Sequence, residues 1–361
     1  MQCDELHPVC RNCIRAGKEC DWVSAKPSSR KNSNTLNEAR AEAWLSFDAI
    51  GSHIAKLAGA ATAKASTANS LVYILRHFET SAFATLSNST GQQILKTKIP
   101  HLVDQYPFLL HSVLAYSASH LRYLKGDIGN INATARFHTS KALSLYSERL
   151  HQAISGEEMD AMFAACLLLT GLFFVDDEPV PINSWSTRNN GHYGWITMAS
   201  GLPILLNTQK DWDRSKSFWL PFLAEVNTAQ QHSVSDIQHV PRELFEVCAS
   251  ASLEVYTPAL VNLGSIMRSA TDNQEFARLI SFPSRLSPDF NKLVYLQDSG
   301  ALLILTYWFA LMQRVPYWWC MGRTRHECQV LCQRLRRHSD AKVRAALRFP
   351  LEASKNLCVK A

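Results

Sequence analysis

A chain of 361 residues is too long for one small module, so it holds one large domain or a large domain with a small companion. With 47% hydrophobic and 19% charged residues it can bury a sizeable core, which excludes an intrinsically disordered protein. The net charge of +6 is concentrated at the end, where residues 322–361 hold ten Lys and Arg against three Asp and Glu; a solvated helix face is the commoner explanation, and nucleic acid or an acidic partner the other.

The first chemistry-bearing feature is a cysteine array. Cys3, Cys10, Cys13 and Cys20 lie within 18 residues, and the other six cysteines are scattered from Cys166 to Cys358. The start is polar and carries no apolar run of the signal-peptide kind, so the chain is expected to be intracellular and its thiols reduced. Four thiolates can hold zinc tetrahedrally, and so short a segment needs a metal to supply the folding energy that a hydrophobic core cannot. Incidental burial of four cysteines is the alternative, and it is disfavoured on that ground.

The array, MQCDELHPVCRNCIRAGKECDWV with spacing C-x6-C-x2-C-x6-C, resembles the fungal Zn2Cys6 binuclear cluster. That family's pattern runs C-x2-C-x6-C, a short loop, then C-x2-C-x6-C, and the match covers its third to sixth cysteines. Agreement extends to Asp4, Pro8, Asn12 and Gly17. In the family six thiolates hold two zinc ions, with the first and fourth cysteines bridging, and a basic stretch between cysteines two and three enters the major groove. Carried over by this resemblance, Cys10 would bridge, Cys3 would belong to one zinc, and Cys13 and Cys20 to the other. The first cysteine pair and the basic stretch have no counterpart ahead of Cys3, so the sequence is expected to be truncated; the alternative is four cysteines closed around one zinc. Contacts to phosphate and bases would then fall to Arg11, Arg15 and Lys18.

Residues 24–40, SAKPSSRKNSNTLNEAR, carry one large apolar side chain among Ser, Asn, Lys and Arg, and predict a flexible linker. An Ala-rich stretch from Ala49 to Ala68 has helix-forming composition. From Leu71 onward helical spacing dominates. His111 to Leu124 aligns Leu114, Ala118, Leu121 and Leu124, with Pro107 where a helix can begin. Residues 133–154 align Leu143, Tyr146, Leu150 and Ile154. Residues 159–175 are apolar almost all round, which predicts an interior helix. Gly191 to Leu206 resumes a helical period through Trp195, Met198, Leu202 and Leu205, with Pro203 kinking it. The apolar runs Met162 to Val175 and Ala301 to Met312 fall short of the ~20 residues of a membrane span. No stretch alternates with period two, and no fixed-period repeat is visible, so the large domain is predicted to be all-α.

LRHFETSAFATL (75–86), IPHLVDQYPFLLHSVLAYSASHL (99–121), HTSKALSLYSERL (138–150), the Trp195–Ile196 segment and ALLILTYWFALMQRVPYWW (301–319) are similar to the regulatory half of fungal sterol-uptake regulators and of zinc-cluster regulators of secondary-metabolite gene clusters. Such motifs are core packing and identify a fold more than a chemistry. The resemblance implies an all-helical domain that, in sterol-responsive members, receives an apolar small molecule. A pocket could draw on Phe173, Phe174, Trp195, Tyr307, Trp308, Phe309, Tyr317, Trp318 and Trp319, with ordinary core or a dimer surface as the commoner use of such rings.

His326, Cys328 and Cys332 have helix-compatible spacing but no fourth ligand close by, so a metal site there is not expected. His111, His120 and His138 lie on predicted helices with no acid or nucleophile partner in sequence. G-x-S-x-G, G-x-G-x-x-G, P-loop and H-E-x-x-H motifs are absent, and no enzyme is expected.

The sequence thus predicts a partial zinc-cluster segment over residues 1–23, a flexible linker over 24–40 and an all-α regulatory domain over 41–361. By resemblance it implies a nuclear transcription regulator of secondary-metabolite or sterol-related genes. Its cofactor would be zinc, and its partners promoter DNA where the cluster is intact, a second copy or another transcription factor, and an apolar effector, with no membrane. Two other readings stay open: an interaction protein that binds no DNA and pairs with an intact factor, and an enzyme or carrier for an apolar compound.

Overall fold

The computed structural model describes residues 65–356, except 128, 153, 155, 230–232, 251–252 and 269–274, and except most of 176–212, where residues 195, 196, 199, 201 and 205 are described. All of them belong to one unit, Gly51–Ala361. Among the described residues there are fourteen α-helices and no strand, as the spacing predicts. Residues 1–23 and 24–40 lie outside the described residues.

Helix α1 (Ala65–Thr80) sets Leu71, Ile74, Leu75 and Phe78 on one buried side, and a 3-10 turn, Ala82–Thr85, leads to α2 (Ser89–Thr97). Asn88 caps α2 by accepting from the Gly91 backbone N–H at 3.0 Å. Helix α3 (Pro107–Lys125) begins on a proline, whose missing N–H costs nothing in a first turn. It ends at Gly126, held at φ 79°, whose N–H reaches the Arg122 carbonyl at 2.8 Å. Asn130, also left-handed at φ 63°, then turns the chain into α4 (Ile131–Leu150), which returns along α3.

Helix α3 is buried on every side from Phe108 to Leu121, because α1, α4 and α5 (Gly156–Phe174) all pack on it. Two expectations about faces are corrected here. Leu124 is 55% exposed, since the last turn of α3 runs past its neighbours. On α4 the buried side is Ala135, His138, Ala142 and Tyr146, whereas Leu150 is 42% exposed and Ile154 lies beyond the helix end. Small residues on that side let α4 approach α3 closely, so Leu143 and Leu145 are only half-buried and Leu150 is exposed.

The second half builds around α11 (Ser299–Met312). Ahead of it come α6 (Leu220–Ala229), α7 (Arg242–Ala249), α8 (Leu253–Arg268), α9 (Glu275–Ser281) and α10 (Pro288–Tyr295). After it come α12 (Trp318–Leu335), α13 (Ala341–Ala345) and α14 (Arg348–Asn356). Every residue of α11 from Gly300 to Met312 is buried, beneath α8, α12 and α14. Asp298 starts it, accepting from the Ala301 N–H at 2.9 Å and from the Tyr256 hydroxyl at 2.6 Å. Among the described residues no single helix is long and apolar enough to cross a membrane, and the α10–α11 pair, long enough only together, is bent by 100°.

Helix α12 ties the two halves together, packing on α11 and also on α3 and α5. Its approach is fixed by three aromatic side chains bonded to the turn between α1 and α2. Trp318 Nε1 donates to Thr85 Oγ1 at 2.9 Å, Trp319 Nε1 to the Thr85 carbonyl at 2.6 Å, and the Tyr317 hydroxyl to the Ser87 carbonyl at 3.0 Å.

Candidate functional site

Cys3, Cys10, Cys13 and Cys20, with Arg11, Arg15 and Lys18, lie outside the described residues. Among the described residues no group of three or more His, Cys, Asp or Glu is placed to hold a metal. Cys328 and Cys332 are buried thiols side by side, the Cys328 neighbour holding the Cys332 thiol well above the ordinary thiol range. Both thiols are packed in the interior of the helical unit.

Seven of the nine aromatic residues considered for a pocket divide into two sets; Phe173 and Tyr317, the latter packed edge-on against Phe276 at 5.1 Å, belong to neither. Trp195 stacks on Trp308 (5.2 Å between centroids, 17° between planes), and Phe282 stacks on the same ring at 5.6 Å and 16°. Phe174 meets Trp195, Trp308 and Trp319 at 5.2–6.0 Å, and Phe309 lies 5.6 Å from Trp195. Tyr307 stacks on Phe349 and donates to the Ala346 carbonyl at 2.7 Å. These rings fill the core by packing on one another, the commoner use the sequence allowed. Phe173 is half-buried, and its carbonyl accepts from Arg323 at 2.8 Å.

Trp318 and Trp319 behave differently, because they line an open cleft of about 320 Å³. One wall is the last turns of α3, with Ser119, Arg122 and Tyr123; the other is the start of α12, with Met321, Gly322 and Arg325, and Val175 also belongs to the lining. The Trp318 ring is stacked on His120 (5.2 Å, 22°) and meets Tyr116 and Tyr123 at 5.4 and 5.6 Å. Behind it, Thr85 shares its hydroxyl between Trp318 Nε1 and the Tyr116 hydroxyl, the latter at 3.0 Å. The aromatic wall is therefore rigid, while Tyr123 (58% exposed) and Met321 (38% exposed) remain open to solvent.

The electrostatics of the cleft are one-sided. Among the described residues its lining holds two guanidinium groups and no carboxylate. Arg122 is oriented by Asn132, whose side-chain oxygen accepts its proton at 2.7 Å, whereas Arg325 extends from the exposed side of α12. Sequence spacing did not single out Arg122, Tyr123, Met321 or Arg325. The available signal was that residues 107–125 hold Arg and Lys but no Asp or Glu.

The histidines without sequence partners find one another. His111 and His138 face each other Nδ1 to Nδ1 at 2.7 Å, and His77 Nε2 lies 3.1 Å from His120 Nδ1. Burial pushes His111 and His120 down to about 4 and His138 to about 3, so all three stay neutral at pH 7. These pairs join α3 to α4 and α1 as structural contacts. The C-terminal basic residues Arg336, Arg337, Lys342 and Arg348 are exposed on and around α12 to α14, as a solvated helix surface would have them.

Several known proteins resemble this chain. Residues 73–216, which run from α1 to just before α6, match the fungal specific transcription factor domain. Sterol uptake control protein 2 of Saccharomyces cerevisiae is 24% identical over 251 residues, covering 66% of this chain and 27% of that protein. The protein of the same name from Candida albicans is 25% identical over 241 residues, covering 60% and 32%. A Zn(2)-C6 fungal-type transcription factor of Gibberella zeae is 19% identical over 389 residues, covering 91% and 78%. The matched region spans about a third or less of the length of the sterol uptake control proteins. Residues 73–216 thus match the fungal specific transcription factor domain, and the chain is similar to the sterol uptake control proteins and to a Zn(2)-C6 fungal-type transcription factor.

Proposed function

We propose that this chain is a nuclear transcription regulator of the fungal zinc-cluster type, acting on genes of a secondary-metabolite cluster or on sterol-related genes. The observation that carries the reading is the match of residues 73–216 to the fungal specific transcription factor domain. It is supported by relatives whose names are those of sterol uptake control proteins and of a Zn(2)-C6 factor.

In this reading Cys3, Cys10, Cys13 and Cys20 hold zinc, and Arg11, Arg15 and Lys18 meet the DNA backbone and base edges. Residues 24–40 let that segment find its site independently of the helical domain. The domain over 41–361 supplies pairing with a second copy or another transcription factor and the response to an apolar effector. No catalytic role is assigned to any residue.

The test uses the purified full chain, zinc-loaded, against promoter fragments of such genes over a salt series. Binding that falls steeply with salt, and that is lost on chelation or in Cys13→Ser, supports the reading. Zinc bound without any promoter binding, together with recovery of an intact zinc-cluster factor as partner, would replace it with the interaction-protein reading.

A further inference from the structure

The cleft between α3 and α12 has a chemistry of its own, independent of whether residues 1–23 bind DNA. At about 320 Å³ it lies at the lower end of the ~300–1,000 Å³ of small-molecule sites, room for one or two fused rings. Its walls are preformed. Trp318 is held by its bond to Thr85 and by the His120 ring, and Trp319 by its bond to the Thr85 carbonyl. No ordering of these side chains is needed before a ligand enters.

Two features decide what kind of ligand fits. The open apolar surface is aromatic and thioether, from Tyr123 and Met321, with the largely buried Trp318 packed behind Tyr123, which favours a flat ring over an aliphatic body. Among the described residues the charge of the lining is cationic, with one guanidinium from each wall. A guanidinium presents a planar fork that matches a carboxylate with two parallel bonds. An uncharged sterol-like body would leave the exposed Arg325 guanidinium unused, and a bare inorganic anion would leave the aromatic wall unused.

We propose that this cleft binds a planar aromatic carboxylate, its ring against Tyr123, Trp318 and Met321 and its carboxylate on Arg325 and Arg122. Such a ligand would bridge α3, inside the fungal specific transcription factor domain, to α12, which packs on both halves of the helical unit. Binding therefore favours the docked position of α12 and links occupancy of the cleft to the packing of the domain.

Calorimetric titration of the full chain with 2-naphthoate, 2-naphthamide and inorganic phosphate tests this directly. 2-Naphthoate is expected to bind at least about tenfold more tightly than 2-naphthamide, the worth of a charge-assisted pair. Arg325→Gln should weaken naphthoate about tenfold with unchanged melting, because Arg325 is exposed and holds no ion pair among the described residues. Tyr123→Ser should weaken acid and amide alike, and Lys342→Gln, the same charge removed from exposed α13, should change neither. The proposal fails if naphthoate does not bind, if acid and amide bind equally, or if Arg325→Gln and Lys342→Gln have the same effect. Phosphate binding as tightly as naphthoate would reduce the cleft to a plain anion site. An acidic aromatic peptide binding more tightly than naphthoate, and lost in Arg325→Gln, would assign it to a protein partner.

Discussion

His111 and His138 meet Nδ1 to Nδ1 at 2.7 Å in the buried seam between α3 and α4. One ring must donate and the other accept, so the contact exists only while at least one imidazole is neutral. Desolvation is the main cause that holds His111 near 4 and His138 near 3, with the Lys141 charge adding for His111 and the His111 partner for His138. The native state therefore binds fewer protons than the unfolded chain at mildly acid pH. Stability from the neutral pair is fully present above about pH 6.5 and is lost as pH falls toward 4, by at most about 1.4 kcal/mol per histidine per pH unit. Melting temperature should decline between pH 6.5 and 5. A double variant, His111→Leu with His138→Leu, should flatten that decline; an unchanged slope would show that other groups govern it.

Thr85 is the joint through which α12 is fixed to the α1–α2 turn. Thr85→Val keeps the shape and removes the hydroxyl, leaving the buried Trp318 Nε1 and the Tyr116 hydroxyl short of a partner. A loss of about 1–3 kcal/mol in urea unfolding is expected. Thr85→Ser, which keeps the hydroxyl, should recover most of it.

Gly264 allows the closest backbone approach in the second half of the fold. A Cβ built there would come within 2.1 Å of the Asp236 carbonyl oxygen in the 3-10 turn Val234–His239. One turn later on α8, Arg268 pairs with the Asp236 carboxylate at 2.8 Å, so the same approach carries an ion pair. Gly264→Ala should destabilise by about 1–3 kcal/mol or more, as overpacking against backbone does. Gly322, in α12 with nothing within 4 Å, is the control: its change to Ala should be neutral or stabilising by up to about 1 kcal/mol. Equal effects of the two substitutions in chemical denaturation would contradict this packing.

Trp308 is the centre of the aromatic core. It is fully buried between Trp195 and Phe282 and donates from Nε1 to the Leu279 carbonyl at 2.8 Å. Trp308→Ala should cost about 3–5 kcal/mol. Trp308→Phe should cost less by keeping most of the packing, though it leaves the Leu279 carbonyl without that donor. A Trp308→Ala chain as stable as the parent would place this ring outside the core.

The all-α class was legible because its cause is local. Apolar residues recur at helical spacing, Pro107 marks the start of α3, and the residues of α5 and α11 are apolar almost all round. The burial of α4 was misread for a reason equally physical. Periodicity weights large side chains, whereas the close approach of two helices selects the small ones, Ala135 and Ala142, with His138 between them. The cleft escaped sequence reading because its walls are some 200 residues apart in the chain, and nothing local to Arg122 refers to Arg325.

What the sequence determined by itself is therefore the helical class and the family likeness, since each rests on residue type and short-range spacing. Only the tertiary structure decided which aromatics fill the core and which line an opening. It alone paired the four histidines across α1, α3 and α4 and set Thr85 between Tyr116 and Trp318. Those outcomes depend on which helix faces meet, a choice made by the whole packed core and not by any segment alone.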